Sequence, residues 1–381
     1  MSARCSADRP APPSRGAAGG AARARGPVQL EAAFAPAPLL LEPVPVVRAW
    51  GGLALLRGRQ PGLPEGLRIG ESWDIACRPG ADCRMLTGPL AGAPLSQLLA
   101  RHGEAVLGWR WRDCSDFPLL HKYLAPLRDL PLQVHPGDDY ASRVEGCSGK
   151  AECWVVLDCA PGASVLLGLD GVEGDAHLRE LVGAGELARH ARRWPVKVGD
   201  VVPIPAGIVH SLGAGVLAYE VQQNSDVTYR IDDFGLGIDS PDARQAQRAR
   251  ALDVIDLPAN LAVRGRFDNW GDGEGTLDFA PRFGLAAIRV AAGQERLLPG
   301  AGRCRGLAVL DGRGSLAGTA GTQELHRGQG WLLPAASGPL RVAGELRLVL
   351  STFPGSPTPT PGGAAAQGGA AEPIAARETT V

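Results

Sequence analysis

Leu130–Pro136 reads LPLQVHP. In an extended strand, successive side chains face opposite ways, so Gln133 and His135 share one face while Leu132 and Val134 share the other. Two donor side chains two residues apart on one pleat can grip a single ion. The stretch reads as a strand with chemistry on one face.

The surrounding sequence keeps the same rhythm. It is rich in Gly, Pro and Val, with short apolar runs broken by turn residues. Ala151–Leu157 (AECWVVL), Val216–Gln223 (VLAYEVQQ), Leu285–Val290 (LAAIRV) and Glu345–Ser351 (ELRLVLS) are the clearest. They predict a mostly β architecture of sandwich or barrel type. Helical spacing appears in Pro94–Trp109 and in Asp175–Arg192, the latter acidic at its start and basic at its end, as the helix dipole favours. A more polar segment, Asp242–Leu252, is a third expected helix. These read as insertions on a β scaffold, not as the alternation of a parallel α/β sheet. Residues 276–354 form a second run of short strands that includes GQGWLLPA (Gly328–Ala335), where His326 alone is too little for a second metal site.

Composition narrows the possibilities. A chain of 381 residues has room for two domains, and a formal net charge of −1 gives no electrostatic reason to expect nucleic acid or a membrane surface. It has no apolar run of the roughly 18 residues that spanning a bilayer requires. Residues 1–36 are mostly Ala, Pro, Arg and Gly and lack the apolar stretch of a secretory signal; disorder, or a start codon placed too far upstream, is the expectation. Residues 355–381 read as a second loose tail. The eight cysteines show no CxxC spacing, which excludes a zinc finger and fits reduced thiols in a cytoplasmic protein. Nothing points to an obligate protein partner.

Glu152 opens the AECWVVL strand, where a charged residue needs a partner, and His210 follows the turn IPAGIVH (Ile204–His210). With Gln133 and His135 they make a set of two imidazoles, one amide and one carboxylate. Such donors suit zinc or a neighbouring transition metal, not calcium. A single anionic ligand leaves the ion positive, with a position open for water or substrate oxygens.

Six motifs occur in order: GESWDI (Gly70–Ile75), FPLLHKYL (Phe117–Leu124), LQVHP (Leu132–Pro136), GKAECWVVLD (Gly149–Asp158), GDVVPIPAGIVHSLGAG (Gly199–Gly215) and EVQQNSDVTYRIDDFG (Glu220–Gly235). This ordered set resembles the class I mannose-6-phosphate isomerases, zinc-dependent enzymes of the cupin superfamily, over roughly Trp50 to Phe353. The resemblance implies two cupin (jelly-roll) units: a catalytic one with helical insertions, at 37–275, and a smaller C-terminal one, at 276–354. It implies one Zn2+ per chain, or another divalent transition metal, on Gln133, His135, Glu152 and His210. It also implies an active-site arginine at Arg230 and a lysine associated with substrate phosphate at Lys122. The implied reaction is the reversible interconversion of mannose 6-phosphate and fructose 6-phosphate through an enediolate that the metal stabilises.

Arg230 is permanently charged, so it reads as a clamp on enediolate or phosphate oxygens, or as a simple partner of Asp226 or Asp232. Lys150, two positions before Glu152, is the favoured acid/base, with Glu220 and Asp226 as rivals. The sequence departs from the family at Pro131, where a serine is usual; proline offers neither hydroxyl nor N–H. Two rival readings are a cupin of other chemistry (an oxygenase or a related sugar isomerase) and a catalytically silent sugar-binding cupin.

Overall fold

A computed structural model describes residues 36–52, 68–109, 117–271, 274–279 and 282–353. The expected tails lie outside these residues except for Pro36, as do Cys5 and Cys114.

Among the described residues the strands form sheets of eight, seven and five strands and a short two-stranded ribbon. The seven-stranded sheet runs Asp268–Asn269, Asp200–Ile204, Glu152–Cys159, Val216–Gln223, Leu119–Leu124, Ile69–Ile75, Val44–Val47. The five-stranded sheet runs Ala191–Pro195, Ser164–Leu169, His210–Leu212, Leu132–Val134, Tyr229–Asp232. Neighbouring strands in both are antiparallel.

Strand alternation decides which residues lie between these two sheets. Trp154, Val156 and Ala218 of the larger sheet pack with Val165, Leu167 and Leu212 of the smaller in one buried cluster. Their neighbours Cys153, Val155 and Tyr219 belong to the core on the far side of the larger sheet. Likewise Leu132, Val134, Leu166 and Tyr229 pack outward from the smaller sheet, beneath Leu178, Val182 and Ala251 of the helices Asp175–Ala184 and Pro241–Val254. The result is a two-sheet barrel whose inner surface is apolar at one level and polar at another.

The eight-stranded sheet is built on three long strands, Phe283–Leu298, Arg305–Gly318 and Leu340–Thr352, with its own core of Leu and Val. It also takes in Leu39–Glu42 and Arg84–Met85 from the N-terminal part of the chain. Its Ala308, Leu310, Leu332 and Val349 share a core with the outer face of the seven-stranded sheet and with the helix Leu95–Leu107.

The expected helices form with shifted ends. Pro94 is the cap before Leu95–Leu107 and not its first turn, and Gly108, at φ 107°, closes it. The segment expected as one helix over Asp175–Arg192 stops at Ala184, because Gly185 takes the left-handed conformation (φ 76°) and its N–H bonds back to Leu181 and Val182 carbonyls. A short 3-10 turn, Leu187–His190, follows, and the basic residues read as a helix end lie in that turn and in the strand Ala191–Pro195. Pro241–Val254 starts one residue before the expected helix, with the Ser240 hydroxyl accepting from Ala243 N–H. A short helix, Leu257–Ala262, was not foreseen; Asp256 caps it.

Candidate active site

Two rows of residues cross the barrel's inner surface. In the five-stranded sheet Arg230 lies opposite Gln133, and Gln133 opposite His210. In the seven-stranded sheet Lys122 lies opposite Glu220 and Glu220 opposite Trp154, while Gln222 lies opposite Glu152. Residues directly opposite in antiparallel strands point to the same face. Because Trp154 faces inward, so do Glu152, Glu220 and Lys122; because Leu132 and Tyr229 face outward, Gln133 and Arg230 face inward.

The donors meet where the two rows approach. His210 Nδ1–H donates to the Ile208 carbonyl at 2.8 Å, and His135 Nδ1–H to the Val227 carbonyl at 3.0 Å. A carbonyl can only accept, so each Nδ1 carries a proton and each Nε2 is the nitrogen turned toward Glu152. His135 Nε2 stands 3.4 Å and His210 Nε2 3.3 Å from the Glu152 carboxylate oxygens. The amide of Gln133 stands 3.2 Å from His210 Nε2. One ligand atom from each of His135, Glu152 and His210 lies within 4.8 Å of the others, and all three residues are buried. Neither Glu152 oxygen receives a well-formed hydrogen bond. Lone pairs converging on a buried carboxylate repel one another unless a cation stands among them, and the donor set fits such an ion.

Lys150 already brings a positive charge there. Its Nζ is 2.8 Å from Glu152 Oε2 and 3.0 Å from His135 Nε2. Burial, reinforced by the Lys150 charge, pushes His135 down to about 3, so its ring is neutral. Burial alone would raise the Glu152 carboxyl, but the Lys150 ammonium outweighs it and holds the group well below the usual carboxylate range.

The second row is a chain of paired charges. Lys122 Nζ is 3.0 Å from Glu220 Oε1, and Trp154 Nε1–H donates to Glu220 Oε2 at 2.9 Å. Lys122 also lies 5.5 Å from the centre of the Trp73 ring. Burial, with the Glu152 charge added, holds the Glu220 carboxyl above its ordinary range despite that lysine. Asp226 is half-buried in the loop after Ser225, and its charge is among those that keep Lys122 protonated. Pro131 is buried at the entry to the strand that carries Gln133 and His135.

Arg230 has the carboxylate partner foreseen for it in kind but not in position. Its Nε and Nη2 donate to the two oxygens of Asp239 at 2.7 and 2.8 Å; neither Asp226 nor Asp232 takes that place. Sequence reasoning also missed Trp154 as a partner of Glu220, although the AECWVVL alternation sets it beside Glu152. Gln222 was missed as well. Its Nε2 donates to the Gln223 and Ser225 carbonyls at 2.8 and 2.6 Å, leaving Oε1 buried with no hydrogen-bond donor.

A two-sheet antiparallel barrel with imidazole, amide and carboxylate donors converging inside it defines a cupin enzyme with a site for a metal cofactor. No family model matches the chain. It is 36% identical over 223 residues to the mannose-6-phosphate isomerase ManA of Bacillus subtilis, covering 58% of this chain and 69% of that protein. It is 34% identical over 225 residues to the mannose-6-phosphate isomerase of Streptococcus mutans, covering 58% and 70%. The crystal structure of the mannose 6-phosphate isomerase from Bacillus subtilis superposes with a TM-score of 0.69 at 28% identity, over 82% of this chain and 99% of that one. The chain belongs to the class I mannose-6-phosphate isomerases.

Proposed function

We propose that this chain interconverts mannose 6-phosphate and fructose 6-phosphate in the cytoplasm, with one Zn2+ held by Gln133, His135, Glu152 and His210. The observation that carries the reading is the convergence inside the barrel of one ligand atom each from His135, Glu152 and His210, all buried and within 4.8 Å of one another, with the Gln133 amide beside them. The names of the curated relatives supply the substrate. Pro131 shifts the phosphate contacts away from the usual hydroxyl and onto Lys122 and Arg230.

When bound, the metal supplies a Lewis acid that polarises the sugar's carbonyl oxygen. The chain's own residues do the rest. In the aldose-to-ketose direction a proton leaves C2 and returns at C1, while the hydroxyl proton of O2 passes to O1 as the carbonyl moves to C2. Arg230 cannot release a proton at working pH, so it stabilises negative charge on the oxygens of the enediolate. Lys150, beside the ligands, carries the proton between the carbons. Glu220 is less suited to that step because its two oxygens are already engaged by Lys122 and Trp154. Asp226 is the remaining carboxylate at this end of the barrel.

The test is metal analysis of the purified protein together with a coupled fructose 6-phosphate assay. His135→Ala and Glu152→Ala are each expected to lose both zinc and turnover. Arg230→Ala is expected to keep zinc and lose about 10²- to 10³-fold in kcat, the scale for one preorganised stabiliser of developing charge. Normal turnover by His135→Ala would remove the ligand assignment. A zinc-loaded wild-type protein that makes no fructose 6-phosphate would remove the reaction.

A further inference from the structure

Arg230 faces the barrel interior beside Gln133, yet its guanidinium is held from outside the sheet. Asp239 grips it in a bidentate fork, Oδ2 on Nε at 2.7 Å and Oδ1 on Nη2 at 2.8 Å. The two side chains are 11% and 8% exposed, so water screens the pair little. The Arg230 main-chain N–H donates to Gln247 Oε1 at 3.2 Å, which ties the same residue to the helix Pro241–Val254.

The segment that delivers Asp239 is built for the purpose. Asp233 is buried and accepts from Gly235 N–H and Ile238 N–H, both at 3.1 Å. Asp232 accepts from Phe234 N–H at 2.8 Å. Phe234 has a positive φ of 49°, the one such non-glycine among the described residues, and Gly235 and Gly237 follow at 73° and 67°. A phenylalanine in this region persists only when its surroundings hold it there. Arg244 of the helix adds contacts of 3.4 Å to Asp233 Oδ2 and to the Asp239 carbonyl. Ser240 then caps the helix. Asp239 is therefore fixed at both ends, by a tied loop before it and a capped helix after it.

We propose that Asp239 is the positioning residue of the active site. It sets the rotamer and the plane of the Arg230 guanidinium, so that the arginine meets the substrate's charged oxygens already oriented. The inference rests on the proposed function, since Arg230 has something to orient only if it acts on a phosphosugar. A flexible arginine would have to be ordered again at each turnover; one locked through Nε and Nη2 is preorganised.

The test is a double-mutant cycle on zinc-loaded protein. Asp239→Asn keeps the shape and one acceptor but loses the charge and the two-oxygen fork. It is expected to retain zinc and the wild-type KM to within a few-fold while kcat falls about 10- to 100-fold, the scale of a misplaced catalytic group. Asp239→Glu, which keeps the carboxylate, is expected to recover part of that loss. In an Arg230→Ala background, Asp239→Asn is expected to cause no further loss, because it acts through the arginine. The proposal is overturned if Asp239→Asn turns over at the wild-type rate, if its effect persists undiminished without Arg230, or if Asp239→Asn and Asp239→Glu both lose zinc. The last result would make the residue a fold element only. Failure of the proposed function reads differently: wild type and Arg230→Ala would then show the same activity, or none.

Discussion

Glu71 shows how one buried charge is tuned by the residues that face it. Burial would raise its carboxyl, but Arg48 and Lys122 act in the opposite sense, and bonds from Arg48 (2.9 Å) and Trp73 Nε1 (2.5 Å) bring the group down to about 2. Unfolded, the same carboxyl titrates near 4.5. Between those values the unfolded chain takes up a proton that the folded chain refuses, so this contribution to stability is whole above pH 4.5 and is lost as pH falls toward 2. The shift corresponds to about 3 kcal/mol. Glu71→Gln is therefore expected to flatten the acid limb of a pH-dependent urea unfolding curve. An acid limb of unchanged steepness would show that other carboxylates carry it. At this scale the sequence was informative where parity applied: Gln133, Glu152 and Glu220 could be oriented by counting from an apolar neighbour. It was silent on Asp239, which follows a loop with two left-handed glycines, where no period links a residue to a face.

Elements show what a single glycine decides. Gly183 and Gly185 sit two apart at the end of the same helix, and substitution by alanine acts oppositely at the two. Gly183 lies within Asp175–Ala184, and a Cβ there meets nothing within 4 Å. Gly183→Ala is expected to raise stability by about 0.5–1 kcal/mol, through helix propensity and a less free unfolded chain. Gly185 has φ 76°, and a Cβ there would come within 2.8 Å of the Arg248 guanidinium, so Gly185→Ala is expected to destabilise by about 1 kcal/mol or more. Thermal melts of the two variants should move in opposite directions; a shared direction would mean that the helix does not end where Gly185 stands. The expected helix overran this point because apolar spacing and the charge gradient both continued past it, while the stop signal was one glycine among others. Strands were more legible. Val216–Gln223 forms as expected, and Leu285–Val290 and Glu345–Ser351 lie inside longer strands. The extra length of Phe283–Leu298 was hidden, because Ala292–Leu297 are exposed and lack the apolar run that marks a strand.

For the whole molecule, the question is what the eight-stranded sheet contributes to a site that lies on the opposite face of its neighbour. The strand Leu119–Leu124 joins the two: Lys122 points into the barrel, and His121 points out to the eight-stranded sheet. Burial pushes His121 down to about 3, so a neutral ring bridges the sheets, Nδ1 to the Tyr219 hydroxyl at 3.0 Å and Nε2 to the Ser351 hydroxyl at 3.1 Å. Gly306 lies against this ring; a Cβ there would stand 2.3 Å from His121 Cε1 and 2.7 Å from Ser351 Oγ. Neither atom is the free end of a flexible chain, so the added methyl must push the two sheets apart. Gly306→Ala is expected to lower stability by about 1–3 kcal/mol, the usual cost of overpacking a well-filled core. Zinc content and the KM for fructose 6-phosphate should nevertheless stay at wild-type values, because Lys122 is held on its own face by Glu220 and Trp73, not by His121. A lower melting temperature with an intact KM would assign the eight-stranded sheet to stability. A raised KM at full zinc occupancy would show instead that the strand transmits strain from its outer face to Lys122, and that the second sheet takes part in tuning substrate affinity.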